Sequence, residues 1–158
     1  MSSQSNLVLK LAPDGPAWSA VGDVYTILVG GKDTGGAYCL LEATIPPGSG
    51  PPLHLHERED ESFYVLEGEL TFTVGDRTVT GRPGAFLQLP KNTPHCFKNN
   101  RAAPVRVLIH CAPAGFDAFM REFAHPLPSR HAPPVPPTPA DIEKLLALAP
   151  KYGLRILG

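Results

Sequence analysis

The run Gly48-Ser49-Gly50-Pro51-Pro52-Leu53-His54-Leu55-His56-Glu57-Arg58-Glu59-Asp60-Glu61-Ser62-Phe63-Tyr64-Val65-Leu66-Glu67-Gly68 sets the fold. Its glycine- and proline-rich start marks a turn, its charged middle a loop and its apolar close a strand. His54 and His56 are two apart, so on one strand both imidazoles leave the same face. Glu61 follows the charged loop and opens the next strand, so it can return to that side. A second string, from Gly84 through Leu89, Pro90 and Pro94 to His95 and Asn99, places a third imidazole at the start of another strand. A closed β scaffold can bring His54, His56, Glu61 and His95 around one point. Imidazole and carboxylate are donors suited to Fe, Mn, Ni, Co, Cu or Zn. Four protein ligands on a six-coordinate ion leave two positions for water, substrate or dioxygen, the arrangement of a reactive site rather than a closed structural one.

The flanking sequence supplies such a scaffold. Short β runs are expected at Leu7–Leu11, Tyr25–Val29, Tyr38–Ile45, Ser62–Glu67, Glu69–Val74, Arg77–Thr80, Ala85–Leu89, His95–Lys98 and Val105–His110. Leu70, Phe72 and Val74 alternate with Thr71 and Thr73, as in a half-buried strand. Gly75-Asp76 then fits a two-residue hairpin turn. Regularly spaced strands with this punctuation predict an antiparallel sandwich or barrel.

The pattern changes beyond residue 112. Phe116, Phe119, Met120 and Phe123 recur at helical spacing. From Pro126 to Pro139 there are seven prolines, which predict an extended strap across a surface rather than a helix or a central strand. Thr138 as N-cap and Pro139 at the first helical position start a second helix, with Ile142, Leu145, Leu146 and Ala149 as its apolar face. Pro150 bends or ends it, and Gly153 terminates the last turn before the apolar tail Leu154–Leu157. One domain is expected: a β-barrel over residues 1–112, with N-terminal strands in 1–35 and the ligand strings in 48–99, and a helical extension with the proline strap over 113–158.

Bulk properties narrow the function. A chain of 158 residues holds one sizeable core. A net charge of -1 with scattered Lys and Arg argues against nucleic acid, and no apolar run is long enough to span a bilayer. Cys39, Cys96 and Cys111 are an odd number at wide spacing, which suits a reducing compartment better than a disulfide framework. Met1–Asn6 shows neither the basic start nor the apolar run of a signal peptide. The expectation is a cytoplasmic protein.

The two strings resemble the paired motifs of the cupin superfamily. The first motif is glycine, five residues, His-x-His, a short gap, glutamate, six residues and glycine; it maps onto Gly48, His54, His56, Glu61 and Gly68 with every spacing satisfied. The second maps onto Gly84, Pro90, His95 and Asn99, with Asn92 where the family usually has glycine. Asparagine tolerates the same positive-φ turn. The resemblance implies an all-β fold, the double-stranded β-helix or cupin jelly-roll barrel, here with two C-terminal helices. It also implies one divalent transition metal per chain, held inside by His54, His56, Glu61 and His95. The stretch Asp60–Gly68 and the tail Pro139–Leu157 further resemble single-domain bacterial cupins related to quercetin 2,3-dioxygenases.

These readings lead to a metal-dependent dioxygenase of quercetinase-like type, acting on a small hydrophobic or aromatic enol or flavonol. Glu61 would be both ligand and general base. The alternatives are a non-catalytic small-molecule-binding or sensing cupin, and a metal-dependent isomerase. The last ranks lower because only Lys98 and Arg106 stand near enough to grip a phosphate or carboxylate. Phe63 and Phe97, two positions from Glu61 and His95, are candidates for the apolar wall of a substrate pocket, or else plain core; Tyr64 faces the other way. Glu57, Glu59 and Asp60 read as a solvated loop face. His110 reads as structural, His125 and His131 as exposed, and Cys96 as a core residue pointing away from His95. The Phe116–Phe123 stripe packs on the barrel or lids its mouth. A small-molecule substrate, no nucleic acid, no membrane and a homodimer are the expected partners.

Overall fold

A computed structural model describes residues 7–10 and 16–158. Two antiparallel sheets face each other. The larger contains β1 (Ala17–Ala20), β2 (Asp23–Val29), β3 (Cys39–Ile45), β5 (Asp60–Glu67), β8 (Phe86–Leu89), β10 (Val105–Ala112) and β11 (His125–Leu127), in the spatial order β11-β1-β2-β3-β10-β5-β8. The smaller contains β4 (His54–His56), β6 (Leu70–Val74), β7 (Arg77–Gly81), β9 (His95–Lys98) and β12 (Leu154–Ile156), in the order β12-β4-β9-β6-β7. This is the double-stranded β-helix, carrying the helices α1 (Phe116–Phe123) and α2 (Pro139–Leu148) after the barrel strands.

Alternation builds the interior. Along β10, Val105, Val107, Ile109 and Cys111 are buried while Arg106, Leu108 and His110 are only half-buried. Opposite them stand Ala43 and Leu41 of β3 on one side and Val65, Phe63 and Glu61 of β5 on the other. Phe63, Phe72 and Phe97 meet edge to face with ring centroids 5.1 to 6.2 Å apart. Each such fully buried ring contributes about 2–3 kcal/mol through the apolar surface it removes from water. The Leu70–Val74 hairpin forms as expected, with Val74 opposite Arg77 across Gly75-Asp76.

The two motif strings are tied together by their non-ligand residues. Gly50 passes so close to β9 that a Cβ there would stand 1.9 Å from the Phe97 carbonyl oxygen. The buried Asn99 donates from Nδ2 to the carbonyls of Ile45 and Ala103, and its own backbone carbonyl accepts from Gly48. Asn92 adopts φ 65, the turn expected of it.

Four strand assignments differ from expectation. Leu7–Lys10 form no strand, and Leu11 lies outside the described residues. Ala17–Ala20, His125–Leu127 and Leu154–Ile156 are strands that no alternation announced. They are three or four residues long, too short for a period-two signal, and sheet pairing makes them. Pro126 is tolerated because β11 is an edge strand. The strap beyond it is not extended throughout: it turns over residues 128–132, where the Ala132 N–H donates to the Ser129 carbonyl, and is then pinned where the Val135 N–H donates to Ser19 Oγ at 2.8 Å. α2 starts as expected, with a capping box between Thr138 and Asp141. Of its expected apolar face, Leu145 and Ala149 are buried but Ile142 and Leu146 are exposed. The chain then makes a single 3-10 turn over Ala149–Tyr152, closed by Gly153 at φ 68. No helix among the described residues is long and apolar enough to cross a membrane.

Candidate metal centre

β4 carries His54 and His56, and both of its neighbours matter. His95 of β9 stands directly opposite His54. On the other side, Leu154 and Ile156 of β12 pair with His56 and His54. The apolar tail therefore closes the sheet over the strand that bears two of the candidate ligands. Glu61 reaches the same point from the opposite sheet, where it faces Cys111 and Leu89. One donor atom from each of His54, His56, Glu61 and His95 lies within 4.8 Å of the others. All four expected residues are thus brought together.

The hydrogen bonds around the rings fix their tautomers. His54 Nδ1–H donates to the Pro52 carbonyl at 2.8 Å, and His95 Nδ1–H donates to the Thr93 carbonyl at 2.9 Å. Carbonyls only accept, so Nδ1 of each ring carries a proton and Nε2 is the nitrogen turned toward the cluster. His56 differs: its Nδ1 meets the carboxylate of Glu59 at 2.6 Å. Its Nε2 is buried without a hydrogen-bond partner, although Glu61 Oε2 lies 3.1 Å away. His95 Nε2 also approaches Glu61 Oε2, at 3.0 Å. Lone pairs and a carboxylate at these distances need a cation between them, either protons or a metal ion. That requirement, with the orphaned His56 Nε2, is the observation that fits the cluster to a divalent ion.

Burial lowers the His54 pKa to about 4, with His95 adding to the effect, so this ring stays neutral. Burial also opposes charging His56, but the carboxylates of Glu61 and Glu59 outweigh it and raise that pKa to about 10. Glu61 is desolvated too, yet His56 and His95 hold its carboxyl well below the usual range. Without an ion the centre is therefore an anionic carboxylate facing the imidazolium of His56, whose proton a divalent cation would displace.

Several expectations are corrected around this core. Glu59 is no solvated loop residue: it is only 3% exposed and holds His56 from behind. Glu57 and Asp60 are exposed as expected. Phe97 lines the cavity beside the cluster, but Phe63 lies in the core against Phe72 and lines none of it. Cys96 points away from His95 and is half-buried rather than core. Lys98 is exposed, and Arg106 is paired with Glu42 and Glu67; neither lines the cavity. His110 stacks on Tyr38 on the outer face, and His125 pairs with Asp141 at 2.7 Å. His131 is exposed.

The cavity opens onto His54 and Glu61. Its wall comes from Phe97 and Ile109 of the barrel and from Phe116, Phe119, Met120 and Phe123 of α1, so this helix packs on the barrel and covers the cavity at once. Leu145, Leu154 and Ile156 complete it from the C-terminal segment. Among the described residues, no Lys or Arg lines it. Tyr25 and Asp23 went unnoticed as site residues in the sequence, and Glu59 was read as solvated. His-x-x-Glu beside a ligand was the one available signal for Glu59, and it is weak, because exposed loops carry the same spacing.

Residues 41–111 match the Cupin domain family. Among curated proteins, quercetin 2,3-dioxygenase of Bacillus subtilis is 27% identical over 136 residues, covering 85% of this chain. The chain spans 39% of that relative's length. Among solved structures, the polyketide cyclase RemF from Streptomyces resistomycificus is 23% identical with a TM-score of 0.60, over 67% of this chain and 80% of the other. A sugar phosphate isomerase of the cupin superfamily from Silicibacter pomeroyi is 22% identical with a TM-score of 0.59, over 68% and 77%. At these identities the two structures speak for the fold alone. Motif spacing, inward-facing ligand strands and the domain match over residues 41–111 together support a protein of the cupin superfamily.

Proposed function

We propose that this chain is a metal-dependent dioxygenase of quercetinase-like type, taking a small hydrophobic or aromatic enol or flavonol. The observation that carries the reading is the cavity: an apolar, aromatic wall that opens onto His54 and Glu61 of the ligand cluster and offers no cationic side chain. The Bacillus subtilis relative supports it. The same wall disfavours an isomerase of phosphorylated sugars, which would need a cationic grip on the phosphate.

In this reading His54, His56, Glu61 and His95 hold one divalent transition metal per chain. When bound, that ion supplies Lewis acidity toward an enol or phenol oxygen and, for a redox-active metal, a partner for dioxygen. The protein's own part is positioning and proton handling. His56 and His95 both approach Glu61 at Oε2, leaving Oε1 as the anionic acceptor for a substrate hydroxyl proton. The carbonyls of Pro52 and Thr93 and the carboxylate of Glu59 fix the three rings from outside. Phe116, Phe119 and Met120 exclude water from the substrate's face.

The test is anaerobic reconstitution with Fe, Mn, Ni, Co or Cu, followed by oxygen uptake with flavonols and related enols. Uptake with at least one ion is expected. No uptake with any of them, together with a ligand that binds and is recovered unchanged, identifies a binding or sensing protein instead.

A further inference from the structure

Among the described side chains lining the cavity, three are polar, and two of them, His54 and Glu61, belong to the ion cluster. The third is Tyr25. It lies on β2 opposite Ala43, is buried, and presents its ring edge-on to Phe116 with centroids 6.4 Å apart. Its hydroxyl stands 3.4 Å from Oδ2 of Asp23. Asp23 is 0% exposed, and its other oxygen accepts from Ser49 Oγ at 2.5 Å.

Packing alone does not account for this group. A carboxyl taken out of water with no cation beside it costs several kcal/mol. Phenylalanine at position 25 would fill the same space without needing a polar partner. Burial pushes Asp23 up to about 7 and, with Asp23 and Glu61 nearby, raises the Tyr25 phenol well above its usual value. The hydroxyl therefore keeps its proton throughout the physiological range. At 3.4 Å its bond to Asp23 is long, so the O–H is only loosely committed and can rotate toward a ligand.

We propose that Tyr25, oriented by Asp23 and Ser49, is a second polar anchor of the cavity: it hydrogen-bonds a second oxygen substituent of the ligand and selects doubly oxygenated aromatics over singly oxygenated ones. The proposal rests on the reading that an apolar aromatic ligand enters this cavity over the metal. Tyr25 is a specificity determinant here, and the chemistry at the metal does not require its proton.

The experiment uses zinc-loaded protein, which binds without redox turnover, and calorimetric titration with 1-naphthol and its isomeric dihydroxynaphthalenes. At least one diol should bind the wild type about tenfold more tightly than naphthol, the worth of one well-made hydrogen bond in a dry site. Tyr25→Phe should erase that advantage while leaving naphthol affinity within about twofold. Asp23→Asn, which keeps the side chain's size, should lose at least half of it. Circular dichroism and thermal melts check that both variants are folded. An advantage that survives Tyr25→Phe, or no diol advantage in the wild type, overturns the anchor and leaves the cavity reading intact. If the wild type binds neither naphthol nor any diol, the cavity reading falls and the anchor with it.

Discussion

Glu59 should control how tightly the centre holds its ion, although it cannot touch that ion. Its Oε1 lies 2.6 Å from His56 Nδ1, the nitrogen on the far side of the ring from the cluster. When Nε2 faces a metal, the proton on Nδ1 donates to a buried carboxylate. This is a charge-assisted bond about twice as strong as the carbonyl bonds that hold His54 and His95. Groups in this outer position are typically worth about 10- to 100-fold in metal affinity, or roughly 1.4–2.8 kcal/mol. Glu59→Gln keeps a neutral acceptor in place and should weaken zinc about tenfold. Glu59→Ala leaves a buried N–H without a partner and a small void, and should approach 100-fold. The assay is competition against a chromogenic chelator at fixed pH. Affinity unchanged in Glu59→Ala would refute the argument. A loss as large as that of His54→Ala would show that Glu59 is itself a ligand, also against it.

The other expectations concern pH and assembly. Burial raises the Asp23 carboxyl to about 7 from an ordinary value of 3.8, so between these limits the folded protein binds more protons than the unfolded chain and stability falls as pH rises. At roughly 1.4 kcal/mol per pH unit, charging Asp23 costs the fold about 4 kcal/mol by pH 8. Asp23→Asn should thus gain stability relative to wild type from pH 4 to pH 8 in urea titrations, and a pH-independent difference would defeat the reasoning. A homodimer is proposed, since β8 and β7 are edge strands bearing exposed Phe86 and Val79. Sedimentation equilibrium should give twice the chain mass, and a monomer at working concentrations rejects it.

The fold and the ligand set were legible because each depends on a periodicity that one strand can display. Two histidines two residues apart share a face whatever surrounds them, and Leu70–Val74 alternates apolar residues with threonine over its whole length. Asn92 could be read as a turn because its φ preference is local. The remainder is decided between segments far apart in sequence. Leu154–Ile156 is a strand only because it lies against His54–His56, about a hundred residues earlier. β1 exists because Asp23–Val29 and His125–Leu127 flank it.

The same distinction explains the misread residues around the centre. Glu59 sits in a run of charges that resembles any solvated loop, and its burial follows from where the His56 ring places Nδ1. Asp23 and Tyr25 occupy alternate positions of a strand, so the sequence could reveal their shared face. It could not reveal that this face borders the cavity, since that depends on Ser49 of one motif and Phe116 of α1 arriving from elsewhere. The identity of the ligands is thus written locally, whereas the groups that tune them and choose what enters are revealed only by tertiary contact. The Glu59 and Tyr25 variants act on these two functions separately. If metal affinity and diol selectivity moved together in either variant, the division itself would be wrong.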